Sequence, residues 1–173
     1  MTTLATVITG ASSGIGEALA HLFAPEQQTL VLVARRKERL DALAKELNAK
    51  HGIKVHVIAQ DLQEIGAAAN LMNSIANLNL TVDTLVNNAG FGISAPFAKS
   101  DGAKTSAMMQ LNMVALTELT HMALPAMLER RHGRIMNIAS VAAFQACPYF
   151  AVYAATKAYV LSFTEALAAE VTD

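Results

Sequence analysis

Three tyrosines, Tyr149, Tyr153 and Tyr159, stand close together near the end of the chain, and they differ in what lies four residues on. Only Tyr153 has a cation there, Lys157, one helical turn away on the same face. A phenol with an ordinary pKa of about 10 is a poor base at neutral pH, and a neighbouring ammonium favours its phenolate. Tyr153 could then exchange a proton with an alcohol or carbonyl oxygen while a hydride moves to or from a dinucleotide. A Tyr-x-x-x-Lys pair also occurs on ordinary helix faces, so the inference needs further residues. Ser140 ends an apolar strand-like run, at the edge where open α/β sheets bind ligands, and its hydroxyl could polarise a substrate oxygen. Asn112, in a long helical stretch, could hold a backbone carbonyl or a water and extend a proton path from Lys157. Taken alone, an asparagine there is more often a surface or capping residue.

A dinucleotide needs a phosphate cradle, and Thr9-Gly10-Ala11-Ser12-Ser13-Gly14-Ile15-Gly16 follows the first strand-like run and opens a helical one. Gly10 can turn sharply, Gly14 lets the backbone approach a ligand, and Gly16 allows close helix–strand packing. The helix N-terminus then offers unpaired N–H groups to a pyrophosphate. The spacing is G-x-x-x-G-x-G rather than G-x-G-x-x-G, and no Gly-Lys-Ser/Thr ending suggests a P-loop. At the end of the second strand, where an acidic residue would bind a ribose 2′-hydroxyl, the chain has Arg35 and Arg36. Two guanidinium groups favour a 2′-phosphate, hence NADP(H), with Arg35 the stronger candidate and Arg36 the more easily explained as a solvated surface residue. Asn87-Asn88-Ala89-Gly90 ends the fourth strand, where small residues admit a cofactor.

These residues must be positioned by strands and helices in alternation. Strand-like runs are expected at Ala5–Thr9, Thr29–Ala34, Lys54–Ala59, Thr84–Asn87 and Gly133–Ile138. Helical patterns fall between them, at Lys37–Lys50, about Glu64–Asn77 and about Thr105–Arg131, with Pro125 bending or splitting the last. A final helix is expected over Val152–Glu170. This order predicts an α/β fold: a doubly wound parallel sheet, Rossmann-like and three-layered, in a single domain over 1–173.

The 173 residues carry 13 basic and 14 acidic side chains, a net charge of −1, which gives no electrostatic case for nucleic acid or an anionic membrane face. Hydrophobic residues make up 53% and charged residues 16%, which excludes a disordered chain. No apolar run reaches a membrane-spanning length, and no secretory pattern opens the chain. One cysteine, Cys147, and five scattered histidines give no disulfide and no metal site. A cytoplasmic protein is expected.

The ordered set T-G-x-x-x-G-I-G, N-N-A-G, serine and Y-x-x-x-K resembles the short-chain dehydrogenase/reductase family across essentially the whole chain. The resemblance implies a catalytic tetrad of Asn112, Ser140, Tyr153 and Lys157. It implies cofactor contacts from Gly10, Ser12, Ser13, Ile15, Arg35, Asp61, Asn88, Tyr153 and Lys157, beside Gly14, Gly16, Arg36, Ala89 and Gly90 from the motifs. Asp61 could equally cap the next helix. The implied activity is interconversion of a carbonyl and a secondary alcohol with NADP(H), in a homodimer or homotetramer. Phe91, Ile93, Pro96, Phe97, Phe144 and Tyr149 suggest a small apolar or aromatic substrate. Family members continue past the tyrosine helix with further strands and a substrate-covering lobe, so the chain resembles a member cut about two-thirds along. With strand order 3-2-1-4-5, the fifth strand becomes a bare edge exposing Ile135, Met136 and Ile138. The alternative to the enzyme is therefore a catalytically impaired dinucleotide-binding or oligomerising fragment.

Overall fold

Strands and helices alternate through the computed structural model, which describes residues 2–26 and 29–171. The order is β1 (Thr3–Thr9), α1 (Gly14–Phe23), β2 (Thr29–Ala34), α2 (Lys37–His51), β3 (Lys54–Ala59), α3 (Ala67–Asn77) and β4 (Leu80–Asn87). Then follow α4 (Gly102–Met109), α5 (Leu116–Glu129), β5 (Arg134–Asn137) and α6 (Ala151–Glu170). The five strands form one sheet of order β3-β2-β1-β4-β5, parallel throughout. The chain runs outward from β1 to β3 and then returns to β4 on the other side of β1. The carboxyl ends of β1 and β4 therefore open a crevice between connections that diverge, where such sheets bind ligands.

Side-chain alternation along the inner strands gives the sheet two apolar faces. Val7, Val31, Val33 and Leu85 pack with Leu71 and Ile75 of α3 and Leu119, Ala123 and Met127 of α5. Ile8, Leu30, Leu32 and Val86 pack with Ala20 of α1 and Leu40, Leu43 and Leu47 of α2. The two layers hold the strands rigidly beneath the crevice.

Several expectations change. The third helix starts at Ala67 rather than near Glu64, because Gly66, at φ 79°, turns the chain into it. The long helix starts at Gly102, where the Asp101 carboxylate accepts from the N–H groups of Ala103 and Lys104. It is interrupted not at Pro125 but by a π-helical segment, Gln110–Ala115. Pro125 lies inside α5 on its exposed side, so the carbonyl it leaves unpaired can turn to water. Of the three apolar residues expected bare on the β5 edge, Met136 is exposed. Ile135 packs against the α3–α5 cluster, and Ile138 is half-buried. Among the described residues no helix is long and apolar enough to cross a membrane.

Candidate active site

The loop from β1 to α1 is shaped by contacts that leave no room for side chains. Gly10 has φ 68°, and a Cβ there would lie 2.8 Å from Asn88 Nδ2; one at Gly16 would collide with the Gly10 carbonyl. At Gly14, by contrast, nothing lies within 4 Å of that position. Ser13 stands at the α1 N-cap without a side-chain hydrogen bond to the helix, so the first N–H groups remain available to an anion. Ser12 is buried, while Ser13, Gly14 and Ile15 are exposed at the crevice.

The two arginines take opposite directions. Arg36 folds back on the loop, its Nε and Nη2 donating to Ser12 Oγ at 3.2 and 2.9 Å and its Nη2 to Ser13 Oγ at 2.6 Å. Arg35 turns instead to Asp61, 3.6 Å away. The structure therefore brings Arg36, not the favoured Arg35, to the phosphate loop. Asp61 does not cap α3: its Oδ1 accepts from the Gln63 N–H at 3.0 Å, within the turn before that helix. Asn88 Nδ2 donates to the Thr9 carbonyl at 2.9 Å. Its backbone N–H and that of Ala89 both donate to Thr9 Oγ1 at 3.0 Å. Thr9 and Asn88 thus tie the ends of β1 and β4 together, and Asn88 serves the crevice as a strut. Thr9 carried no role in the motif reading; a hydroxyl at a strand end gives no periodic signal.

Beyond β4 the chain lies directly on the catalytic candidates. A Cβ at Gly92 would be 3.0 Å from the Tyr153 ring, and one at Gly90 would be 3.0 Å from Asn112 Oδ1 and 3.7 Å from Lys157 Nζ. Asn112, fully buried in the π-helical segment, holds this loop by two hydrogen bonds. Its Oδ1 accepts from the Phe91 N–H at 3.1 Å, and its Nδ2 donates to the Phe91 carbonyl at 3.0 Å. Lys157 Nζ donates to the Ile138 carbonyl at 2.6 Å and lies 6.0 Å from the Tyr153 ring centre. Burial pushes the Lys157 pKa below the ordinary lysine value. Ser140 ends the β5 connection, where its hydroxyl accepts from the Ala142 N–H at 3.2 Å. That bond leaves the hydroxyl proton free to donate. Phe150 packs edge-on against Tyr153, ring centres 6.1 Å apart.

A family model described as short chain dehydrogenase matches residues 5–173. The chain belongs to the short-chain dehydrogenase family. It is 35% identical to the ketoacyl reductase HetN of Nostoc sp., covering 98% of this chain and 60% of that protein. It is 38% identical to sulfoacetaldehyde reductase 2 of Chromohalobacter salexigens, covering 91% of this chain and 63% of that one. A short-chain dehydrogenase from Sphingobium yanoikuyae, solved in complex with NADPH, superposes with a TM-score of 0.90 at 36% identity, over 98% of this chain and 66% of that one. The chain thus spans about 60% of the length of these curated relatives.

Within this family member, the chain beyond β4 brings Asn112, Tyr153 and Lys157 together around residues 90–92. Ser140 lies two residues past the Ile138 carbonyl that Lys157 reaches, and Arg36 sits on the glycine loop. Besides Thr9, two contributors escaped the motif reading: Thr156, which accepts from Asn112 Nδ2 at 3.1 Å, and Asn137, which donates to Thr164 at 2.9 Å. Thr156 stands next to Lys157 in sequence, and that adjacency was the available signal; its burial is seen only in the fold.

Proposed function

We propose that this chain encodes an NADP(H)-dependent oxidoreductase that interconverts a carbonyl and a secondary alcohol, with Tyr153 as the general acid and base. The observation that carries this reading is the meeting of Gly92, Tyr153, Lys157 and Asn112 at the crevice that the uncapped α1 N-terminus also faces. The cradle fits a dinucleotide: the open space at Gly14, the free N–H groups of α1 and the Arg36 guanidinium beside Ser12 and Ser13 suit a pyrophosphate and a 2′-phosphate. When bound, NADP(H) supplies or accepts the hydride.

The chain's own residues do the rest. In the reducing direction Tyr153 donates its phenolic proton to the substrate oxygen and recovers it in the oxidising one. Ser140 donates a hydrogen bond to that same oxygen and stabilises the charge that develops there. The Lys157 ammonium stands 6.0 Å from the Tyr153 ring centre, a positive charge beside the group that exchanges the proton. Asn112 fixes the Phe91 backbone and so holds the loop against Tyr153. Phe144 and Tyr149, both exposed near Ser140 and the start of α6, suit a small apolar or aromatic substrate.

The test pairs turnover of an aromatic ketone with NADPH fluorescence titration. Tyr153→Phe should abolish turnover and leave NADPH affinity intact; a variant that turns over like the parent defeats the assignment. A second reading, a dinucleotide-binding or oligomerising fragment with impaired catalysis, draws on the open flank of β5. There a cleft of about 710 Å³ lies between α5 and α6, lined by Leu124, Met127, Ile135 and Leu167 among others. NADPH binding without turnover by the parent chain would favour it.

A further inference from the structure

α6 carries Tyr153 and Lys157, yet little apolar packing holds it. Of its 20 residues, four are buried: Ala154, Thr156, Lys157 and Val160. Two of the four are polar and one is alanine, whereas α2 buries three leucines. Something other than hydrophobic burial must set the depth and rotation of this helix.

Two threonines meet that need by the same device. Thr156 Oγ1 donates to the Tyr153 carbonyl at 2.7 Å, and Thr164 Oγ1 donates to the Val160 carbonyl at 2.6 Å. A threonine hydroxyl has one proton, so both are left with acceptor capacity alone. Each meets an asparagine Nδ2 from a different element: Asn112 of the π-helical segment at 3.1 Å and Asn137 of β5 at 2.9 Å.

Both amides are themselves fixed. Asn112 is locked by its paired bonds to Phe91. Asn137 Oδ1 accepts at 2.9 Å from Asn87 Nδ2, which also donates at 3.0 Å to Thr120 of α5. Because the Thr164 proton is committed to Val160, the direction of this chain is determined: Asn87 to Asn137 to Thr164. Thr156 and Thr164 lie eight residues apart on one stripe, about 12 Å along the helix. Two attachments at that separation fix both axial position and rotation, which one could not.

We propose that Thr156 and Thr164 are positioning residues that clamp α6, and with it Tyr153 and Lys157, to Asn112 and Asn137. This rests on the oxidoreductase reading above, which gives that positioning its consequence for rate. Thr→Val keeps the shape and removes the acceptor, leaving an Nδ2–H unpaired that is buried at Asn112 and half-buried at Asn137; Thr→Ser restores it.

In the 173-residue chain, Thr156→Val should lower kcat by about tenfold to a hundredfold, the scale set by small misplacements of reacting groups. NADPH affinity and KM should hold, and Thr156→Ser should recover kcat. Thr164→Val should act in the same direction and serves as the second variant should Thr156→Val fold poorly. In parallel, the Lys157 side-chain resonance in lysine-labelled protein should move in Thr156→Val and return in Thr156→Ser. Undiminished kcat in both valine variants, or a serine variant as poor as the valine one, overturns the clamp. A parent chain without turnover fails the oxidoreductase reading instead. The Lys157 resonance then decides the clamp alone, and one that stays fixed in Thr156→Val overturns it.

Discussion

Arg36 and Lys157 show how single side chains are set by their surroundings rather than by their motif. Arg36 already places four N–H···O contacts on the serines of the phosphate loop, while Arg35 is drawn to Asp61. Arg36→Ala should therefore weaken NADPH binding by roughly tenfold to a hundredfold, the range of a charge-assisted hydrogen bond, and leave NADH binding nearly unchanged. Arg35→Ala should do less. Titration of the four protein–cofactor pairs checks this, and a larger loss from Arg35→Ala would reverse the assignment. Sequence placed both guanidinium groups at the right strand end but could not tell them apart, because adjacent residues of a strand end point to opposite sides and the turn decides which faces the loop. Lys157 makes a different prediction. Burial lowers its pKa from the ordinary 10.5, so the unfolded chain keeps this proton to higher pH than the folded one. The stability of the parent relative to Lys157→Met should rise as pH climbs from the lowered folded value toward 10.5 and stay flat below that window. Urea unfolding of both proteins across that range measures it; a difference that falls with pH contradicts it.

At the scale of elements, the phosphate cradle depends on how closely α1 approaches the end of β4. A Cβ at Gly16 would strike the Gly10 carbonyl and the Asn88 amide, neither of which can withdraw without loosening the β1–β4 tie. Gly16→Ala should cost about 1–3 kcal/mol of stability, as overpacking of a tight contact does, and should weaken NADPH binding with it. Urea midpoints and a fluorescence titration test both effects, and an unchanged midpoint would mean that the loop relaxes freely. The strands and this loop were legible in the sequence because buried parallel strands read as nearly continuous apolar runs and glycine marks tight turns. The π-helical break at Asn112 was not. Its cause is tertiary: the asparagine side chain is committed to Phe91 and Thr156, contacts more than 20 residues away in sequence. Pro125, the visible helix breaker, proved harmless on an exposed face.

For the whole molecule, the exposed apolar surfaces matter most. Val114 of the π-helical segment, Met122 of α5 and Tyr159 of α6 are each about 40% exposed, and Tyr159 stacks on Phe163 with ring centres 5.9 Å apart. Exposed apolar side chains of this kind suit association with a second copy, and sedimentation at micromolar concentration should show a dimer or tetramer; a clean monomer would reject this. The other open surface flanks β5, the last strand of the sheet among the described residues, whose Met136 is exposed. Lys157 reaches the Ile138 carbonyl just beyond this strand, and Asn137 at its end anchors Thr164. Any loosening of this edge would reach the tyrosine helix through those two bonds, whereas the phosphate loop follows β1, an inner strand flanked by β2 and β4. Catalysis should suffer from the open edge more than cofactor binding does. The comparison is with a chimera in which the part of the Sphingobium yanoikuyae protein that follows its tyrosine helix continues this chain and covers β5. The chimera should turn over an aromatic ketone faster by about a hundredfold, the effect of a displacement near 1 Å at the reacting groups, with a much smaller gain in NADPH affinity. Equal turnover numbers in the two proteins would show that α6 is held in place without a neighbour beyond β5.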